Sequence, residues 1–235
     1  MEIGEQRVLS LSPQDITAIG LSLEVAGVAT LATLPVAVFV AYALARWRFP
    51  GHAAVNALAH LPLVMPPVVT GFALLLLFGR HGPLGAFFAE NFGLVFAFRW
   101  TGAALAAAVM SFPLMIRPIR LAFETIDERL PQASRSLGAN SMWTFLLVTL
   151  PLALPGVIVG AILGFAKALG EFGATITFVS NIPGETQTIP SAIYSLMQTP
   201  NGDASALRLA AISAGIAILA LLVSEALQGR AGARR

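Results

Sequence analysis

Apolar residues run in long blocks along this chain, and polar residues gather in the gaps between them. A helix that crosses the roughly 30 Å hydrocarbon core of a bilayer needs about 20 predominantly apolar residues. Blocks at about 17–45, 53–78, 101–123, 144–169 and 207–227 are long enough, and they predict five spans. The stretch 170–200 is also apolar but is interrupted by Gly173, Pro183, Gly184, Pro190 and Pro200. It predicts a broken or re-entrant segment holding a short helix over about 189–198. Irregular backbone at that depth survives only when it is buried in protein or lines a wet cavity, so this segment is a site candidate. Pro66, Pro67 and Pro113 predict kinks in the second and third spans. The expected fold class is all-α, a single polytopic transmembrane helical bundle over residues 1–235.

Composition narrows the function. Of the 235 residues, 57% are hydrophobic and 11% are charged, against roughly 25% charged in an average soluble domain. The mean hydropathy of +0.80 fits an integral membrane protein and excludes a disordered chain, which is poor in apolar residues. There is no Cys, which excludes a disulfide scaffold, thiolate catalysis and Cys-ligated metal centres. His52, His60 and His81 are scattered, and no paired-carboxylate or Ser–His–Asp pattern stands out, so neither catalytic residues nor a metal site are expected. The basic residues are Arg apart from Lys167 and lie mainly between apolar blocks, which is not a nucleic-acid signature. The opening MEIGEQR lacks the basic start and short apolar core of a cleavable signal.

Charge also predicts orientation, because cytoplasmic loops carry an excess of Arg and Lys. Arg46, Arg48, Arg117, Arg120, Arg129, Arg135, Arg230, Arg234 and Arg235 fall on one side of the five spans, with Glu124, Asp127 and Glu128, a balance of +6. Arg7, Arg80, Arg99 and Arg208 fall on the other, with Glu2, Glu5, Asp15, Glu90, Glu185 and Asp203, a balance of −2. The N-terminus is therefore expected outside and the C-terminus in the cytoplasm.

The cytoplasmic loop IDERLPQASRSLGANSM, residues 126–142, predicts a short amphipathic helix over about 130–138. Leu130, Ala133, Ser134 and Leu137 share one face at i, i+3, i+4 and i+7. Pro131 suits a first turn, and Gly138 sits where a left-handed cap would end the helix. An ordinary loop helix packed on its own spans would show the same pattern.

Gln132-Ala133-Ser134, then Gly138, then Val148-Thr149-Leu150-Pro151 resembles the EAA loop of ABC importer permeases in its spacing. Ala133, Gly138, Leu150 and Pro151 are identical to that pattern, whereas Gln132, Ser134 and Val148 replace Glu, Ala and Ile. Arg48-Phe49-Pro50-Gly51, the run 61–69, the run 110–114 and the run 169–190 resemble the molybdate importer permeases. The core Gly170-Glu171-Phe172-Gly173 is shared with sulfate permeases, which usually carry an additional N-terminal span, and none precedes Thr17.

The resemblance implies a homodimeric permease in a bacterial inner membrane. It also implies two cytoplasmic ATPase subunits that bind ATP and Mg, and a periplasmic molybdate-binding protein. No Gly-x-x-x-x-Gly-Lys-Ser/Thr loop occurs, so no ATP cradle of that kind and no cofactor is expected in this chain. Leu130, Gln132, Ala133, Ser134, Arg135, Leu137 and Gly138 would couple to the ATPase. Thr175, Thr177, Ser180 and Asn181 offer hydroxyls and an amide to a passing oxyanion, or satisfy the broken backbone. Lys167 and Glu171, at i, i+4, are expected to form a structural ion pair. The alternatives are a sulfate, thiosulfate or tungstate importer, an ion-coupled transporter using Glu24 or Glu171, and a non-transporting scaffold.

Overall fold

The structure, a computed structural model, describes residues 11–232. MEIGEQR, Arg234 and Arg235 lie outside the described residues. The first helix, α1 (Pro13–Arg46), starts at a capping box. Ser12 Oγ accepts the Asp15 N–H at 3.1 Å, and the Asp15 carboxylate accepts the Ser12 N–H at 2.9 Å. This satisfies donors that a helix start leaves free. At 1.5 Å per residue its 34 residues extend about 51 Å, longer than the hydrocarbon core.

α2 (His52–Val64) and α3 (Pro67–Phe78) occupy the region expected as the second span. The anticipated kink is a 114° bend, far beyond what one proline imposes. Pro66 and Pro67 together remove two consecutive N–H donors, so the helical ladder stops and restarts with Pro67 as first residue. α4 (Pro83–Phe92) is a short helix absent from the sequence expectation; it begins after Gly82 and ends at Gly93 with φ +66°. α5 (Trp100–Glu124) is the central span. α6 (Arg129–Ser136) is the loop helix. α7 (Ser141–Leu169) begins three residues earlier than the expected fourth span and contains a π turn at Phe145–Thr149. α8 (Gly173–Val179) and α9 (Ile189–Met197) form the broken segment, and α10 (Asp203–Gly232) closes the described chain. Among the described residues four helices are long and apolar enough to cross a membrane, or five with the bent pair as one span.

The core follows α5. Its N-terminal half packs Ala103, Ala107 and Met110 with Ala26 and Ala29 of α1, Leu74 of α3 and Phe178 of α8. Its C-terminal half packs Met115, Ile119 and Phe123 with Ala37 and Ala41 of α1 and Ala153 of α7. Small residues let these backbones approach, which matters in lipid because apolar burial alone does not drive helices together. Gly156, Gly160 and Gly164 set a stripe of this kind on α7. A Cβ at Gly160 would lie 2.8 Å from the Met115 carbonyl oxygen, and one at Gly156 would lie 2.7 Å from that of Pro118.

Candidate functional site

Two groups of predicted site residues lie at opposite ends of α5. The broken segment meets its start, where a Cβ on Gly102 would lie 2.7 Å from Val179 of α8. The loop helix meets its end, about 33 Å further along at 1.5 Å per residue.

α6 buries none of its residues. Leu130 is 48% exposed and Leu137 is 89% exposed, and Gln132, Ala133 and Arg135 are exposed as well. Leu130, Ala133 and Leu137 of the predicted apolar face are therefore uncovered. Ser134 is half-buried and shares a 3.2 Å hydrogen bond with Thr144 of α7, which ties the helix to that span. The helix ends in a Schellman arrangement: the Ala139 N–H donates to the Ser134 carbonyl and the Gly138 N–H to the Arg135 carbonyl. Gly138 has φ +92°, a conformation L side chains rarely adopt. Asn140 then caps α7 by accepting the Trp143 N–H at 2.9 Å.

Arg46, at the end of α1, is more than a topological charge: it is a structural hub. Its Nη2 donates to the carbonyls of Phe123 and Ile126 at 2.7 and 2.6 Å, and its Nη1 pairs with Glu128 at 3.2 Å. One guanidinium thus caps the end of α5 and reaches the residue preceding α6. Carbonyls at a helix end carry partial negative charge, which a cation there offsets. No spacing in the sequence signals this; it arises because α1 and α5 end side by side.

In the broken segment Lys167 Nζ pairs with the Glu171 carboxylate. The carboxylate, 3% exposed as a residue, also accepts the Ala174 N–H at 3.0 Å, so it caps the start of α8. A charge at bilayer depth is costly unless paired, and here both oxygens are engaged. Thr177 Oγ1 donates to the Gly173 carbonyl at 2.8 Å, and Asn181 Nδ2 donates to Ser195 Oγ of α9 at 2.6 Å. Thr175 is buried, and Ser180 holds φ +66° and ψ −160°. Thr186, fully buried, fixes that turn by accepting the Ile182 N–H at 2.9 Å and donating to the Ser180 carbonyl at 3.3 Å. Thr70 Oγ1 of α3, Asn181 Oδ1 and Thr188 Oγ1 are buried with no hydrogen-bond partner among the described residues. Buried polar atoms are normally satisfied, so these three keep hydrogen-bonding capacity in reserve around the break. Thr70 is an isolated hydroxyl in an apolar run, and Thr188 is one of several polar residues in the stretch 185–188, so the sequence singles out neither. Glu24 is exposed on α1. No group of His, Asp and Glu that could hold a metal ion occurs among the described residues.

Residues 18–232 match the family described as the inner membrane component of binding-protein-dependent transport systems. The chain is 56% identical over 215 residues to a molybdenum transport system permease protein of Escherichia coli (strain K12), covering 92% of this chain and 94% of that one. It is 52% identical over 216 residues to a protein of the same description from Haemophilus influenzae, covering 92% and 94%. The fold resembles a bacterial ABC transporter that imports the acidic polysaccharide alginate, with TM-score 0.73, 18% identity and coverage of 94% and 80%.

Proposed function

The chain belongs to the family of inner membrane components of binding-protein-dependent transport systems, and from that premise we propose that it is the permease subunit of an ATP-driven molybdate importer. It is a multi-pass subunit of the bacterial inner membrane, and the ATPase is a separate chain. Two relatives more than half identical along nearly their whole length, both described as molybdenum permeases, support the substrate.

The observation that carries the mechanism is the bare apolar face of α6. A rigid helix, capped at Gly138 and tied to the ends of α1, α5 and α7, presents Leu130 and Leu137 to whatever docks below. We assign that face to the ATPase subunit, which binds ATP and Mg. Leu130, Gln132, Ala133, Ser134, Arg135, Leu137 and Gly138 form the coupling element. Because packed helices move as units, ATPase closure would shift α6 and, through Arg46, the inner ends of α1 and α5 together. Two copies would frame the pathway, with the N-terminus outside and the C-terminus in the cytoplasm, and a periplasmic molybdate-binding protein would deliver the oxyanion. Thr175, Thr177, Ser180 and Asn181 would line or shape its upper part. Lys167 and Glu171 hold the break open. The segment offers neutral hydroxyls and amides, with its one cation, Lys167, paired to Glu171, which favours a conduit over a tight site, and weak binding lets an ion leave.

The test is uptake of labelled molybdate and sulfate by proteoliposomes holding the chain with its ATPase and loaded binding protein. ATP-dependent molybdate uptake exceeding sulfate uptake is the expected result. Uptake driven by a proton gradient without ATP would overturn the importer reading, and a sulfate preference would overturn the substrate.

A further inference from the structure

Arg117 and Arg120, counted above with a cytoplasmic loop, lie inside α5, about two turns and one turn before its end. With Asn56 and His60 of α2 and Glu124 they line a cleft of about 510 Å³ between α2 and α5. Arg120 is held in place: Nη1 donates to Asn56 Oδ1 at 3.1 Å and Nε to Glu124 at 2.7 Å. His60 is fixed by a 2.8 Å contact of Nδ1 with the Asn56 carbonyl. Arg117 is exposed and makes no hydrogen bond or ion pair among the described residues, so its whole guanidinium fork is available. A second cleft of about 430 Å³ shares Arg120 and Glu124 and continues to Arg48 and His52. Two arginines against one glutamate leave the first cleft one net positive charge.

We infer that this cleft is an inward-side subsite for a tetrahedral oxyanion, in which Arg117 takes the translocated dianion as it leaves the membrane pathway. The inference rests on the importer reading and names a part of it that the broken segment does not supply. The segment's free groups are hydroxyls and amides, and a dianion passing through low-dielectric surroundings requires compensating charge. A guanidinium presents paired donors that match tetrahedral oxyanions. A single net charge holds a dianion loosely enough to release it. Arg120 and Asn56 act as positioning residues that keep α2 and α5 at the width of the cleft. The phosphate of an anionic lipid headgroup has the same chemistry, so the experiment separates the two.

The complete importer, with its ATPase and loaded binding protein, is reconstituted in phosphatidylcholine alone or with phosphatidylglycerol added. Molybdate uptake and ATP hydrolysis are measured for Arg117→Gln and Arg117→Lys. Arg117→Gln should lower uptake about five- to tenfold in both lipids, as loss of one charge-assisted contact does, while ATP hydrolysis continues. Arg117→Lys should recover much of the uptake. Wild-type uptake by Arg117→Gln, or a loss confined to phosphatidylglycerol vesicles, overturns the inference. Should Arg117→Gln fail to assemble, Leu121→Cys in this Cys-free chain gives a second measurement. Molybdate should slow its modification by a water-soluble thiol reagent, and absence of protection overturns the subsite. A wild-type complex that takes up no molybdate would instead sink the importer reading itself.

Discussion

Gly138 and Ser180 both hold positive φ, with opposite consequences. At Gly138 (φ +92°) no atom lies within 4 Å of an added Cβ, so substitution costs conformation and not space. An L residue in a left-handed conformation costs about 1–2 kcal/mol, and a β-branched one more. Gly138→Val is therefore expected to leave yield and insertion near wild type while reducing molybdate uptake and ATPase stimulation, read in the same proteoliposomes. Normal transport by that variant would contradict the assigned coupling role. Ser180 sits at φ +66° and ψ −160°, a region open essentially to glycine and worth about 1–3 kcal/mol of strain. Ser180→Gly should raise the unfolding temperature in detergent. Thr186→Val, which strands the Ile182 N–H, should destabilise by about 1–3 kcal/mol; equal melting of all three proteins would refute the strained turn. Gly138 was legible because a helical period stops just before a glycine. Ser180 was legible only as a hydroxyl, because serine does not announce a positive φ.

The long helices were readable because twenty consecutive apolar residues have few other places to go. The short ones were not, for different reasons. α8, GATITFV, is rich in β-branched residues whose intrinsic helix preference is weak; burial against α3 and α5 and the Glu171 cap make it helical. α4 was signalled by Gly82-Pro83 at its start and Gly93 at its end, but ten residues are too few to register as a span. The four-residue spacing of Gly156, Gly160 and Gly164 was not singled out from the sequence, because small residues at a regular spacing name no partner until α5 is seen against them. Gly160→Val should force α5 and α7 apart and cost about 1–3 kcal/mol by overpacking. Gly27→Ala on α1, where nothing lies within 4 Å of the new Cβ, should not. Detergent melting of the two variants checks this, and equal stability would mean the stripe does not set the helix spacing.

The whole molecule divides into a body packed around the start of α5 and one packed around its end. Asp15 pairs with Arg208 at 3.2 Å, joining the start of α1 to α10, and the Ile189 N–H donates to Ser22 Oγ at 2.7 Å, joining α9 to α1. Arg46 performs the corresponding task at the other end. The charge balance predicts the orientation, which is testable in this Cys-free chain: Glu185→Cys should react with an impermeant thiol reagent from outside, and Arg48→Cys only from the cytoplasm. Labelling of position 185 from the cytoplasm alone would invert the topology. The bend between α2 and α3 divides along the same line. α3 is held to α8, where Gly71 and Gly173 bring the backbones together, whereas α2 leans on α5 through Asn56 and Arg120. Pro66 and Pro67 have no N–H to give, so turning one helix against the other breaks almost no backbone bond. The proline rings resist such a turn instead, because they fix φ and confine the preceding residue to extended backbone, as at Met65 (φ −71°, ψ 144°) and Pro66 (φ −56°, ψ 133°). The joint is thus a stiff elbow, in which movement of α2 carries α3 with it.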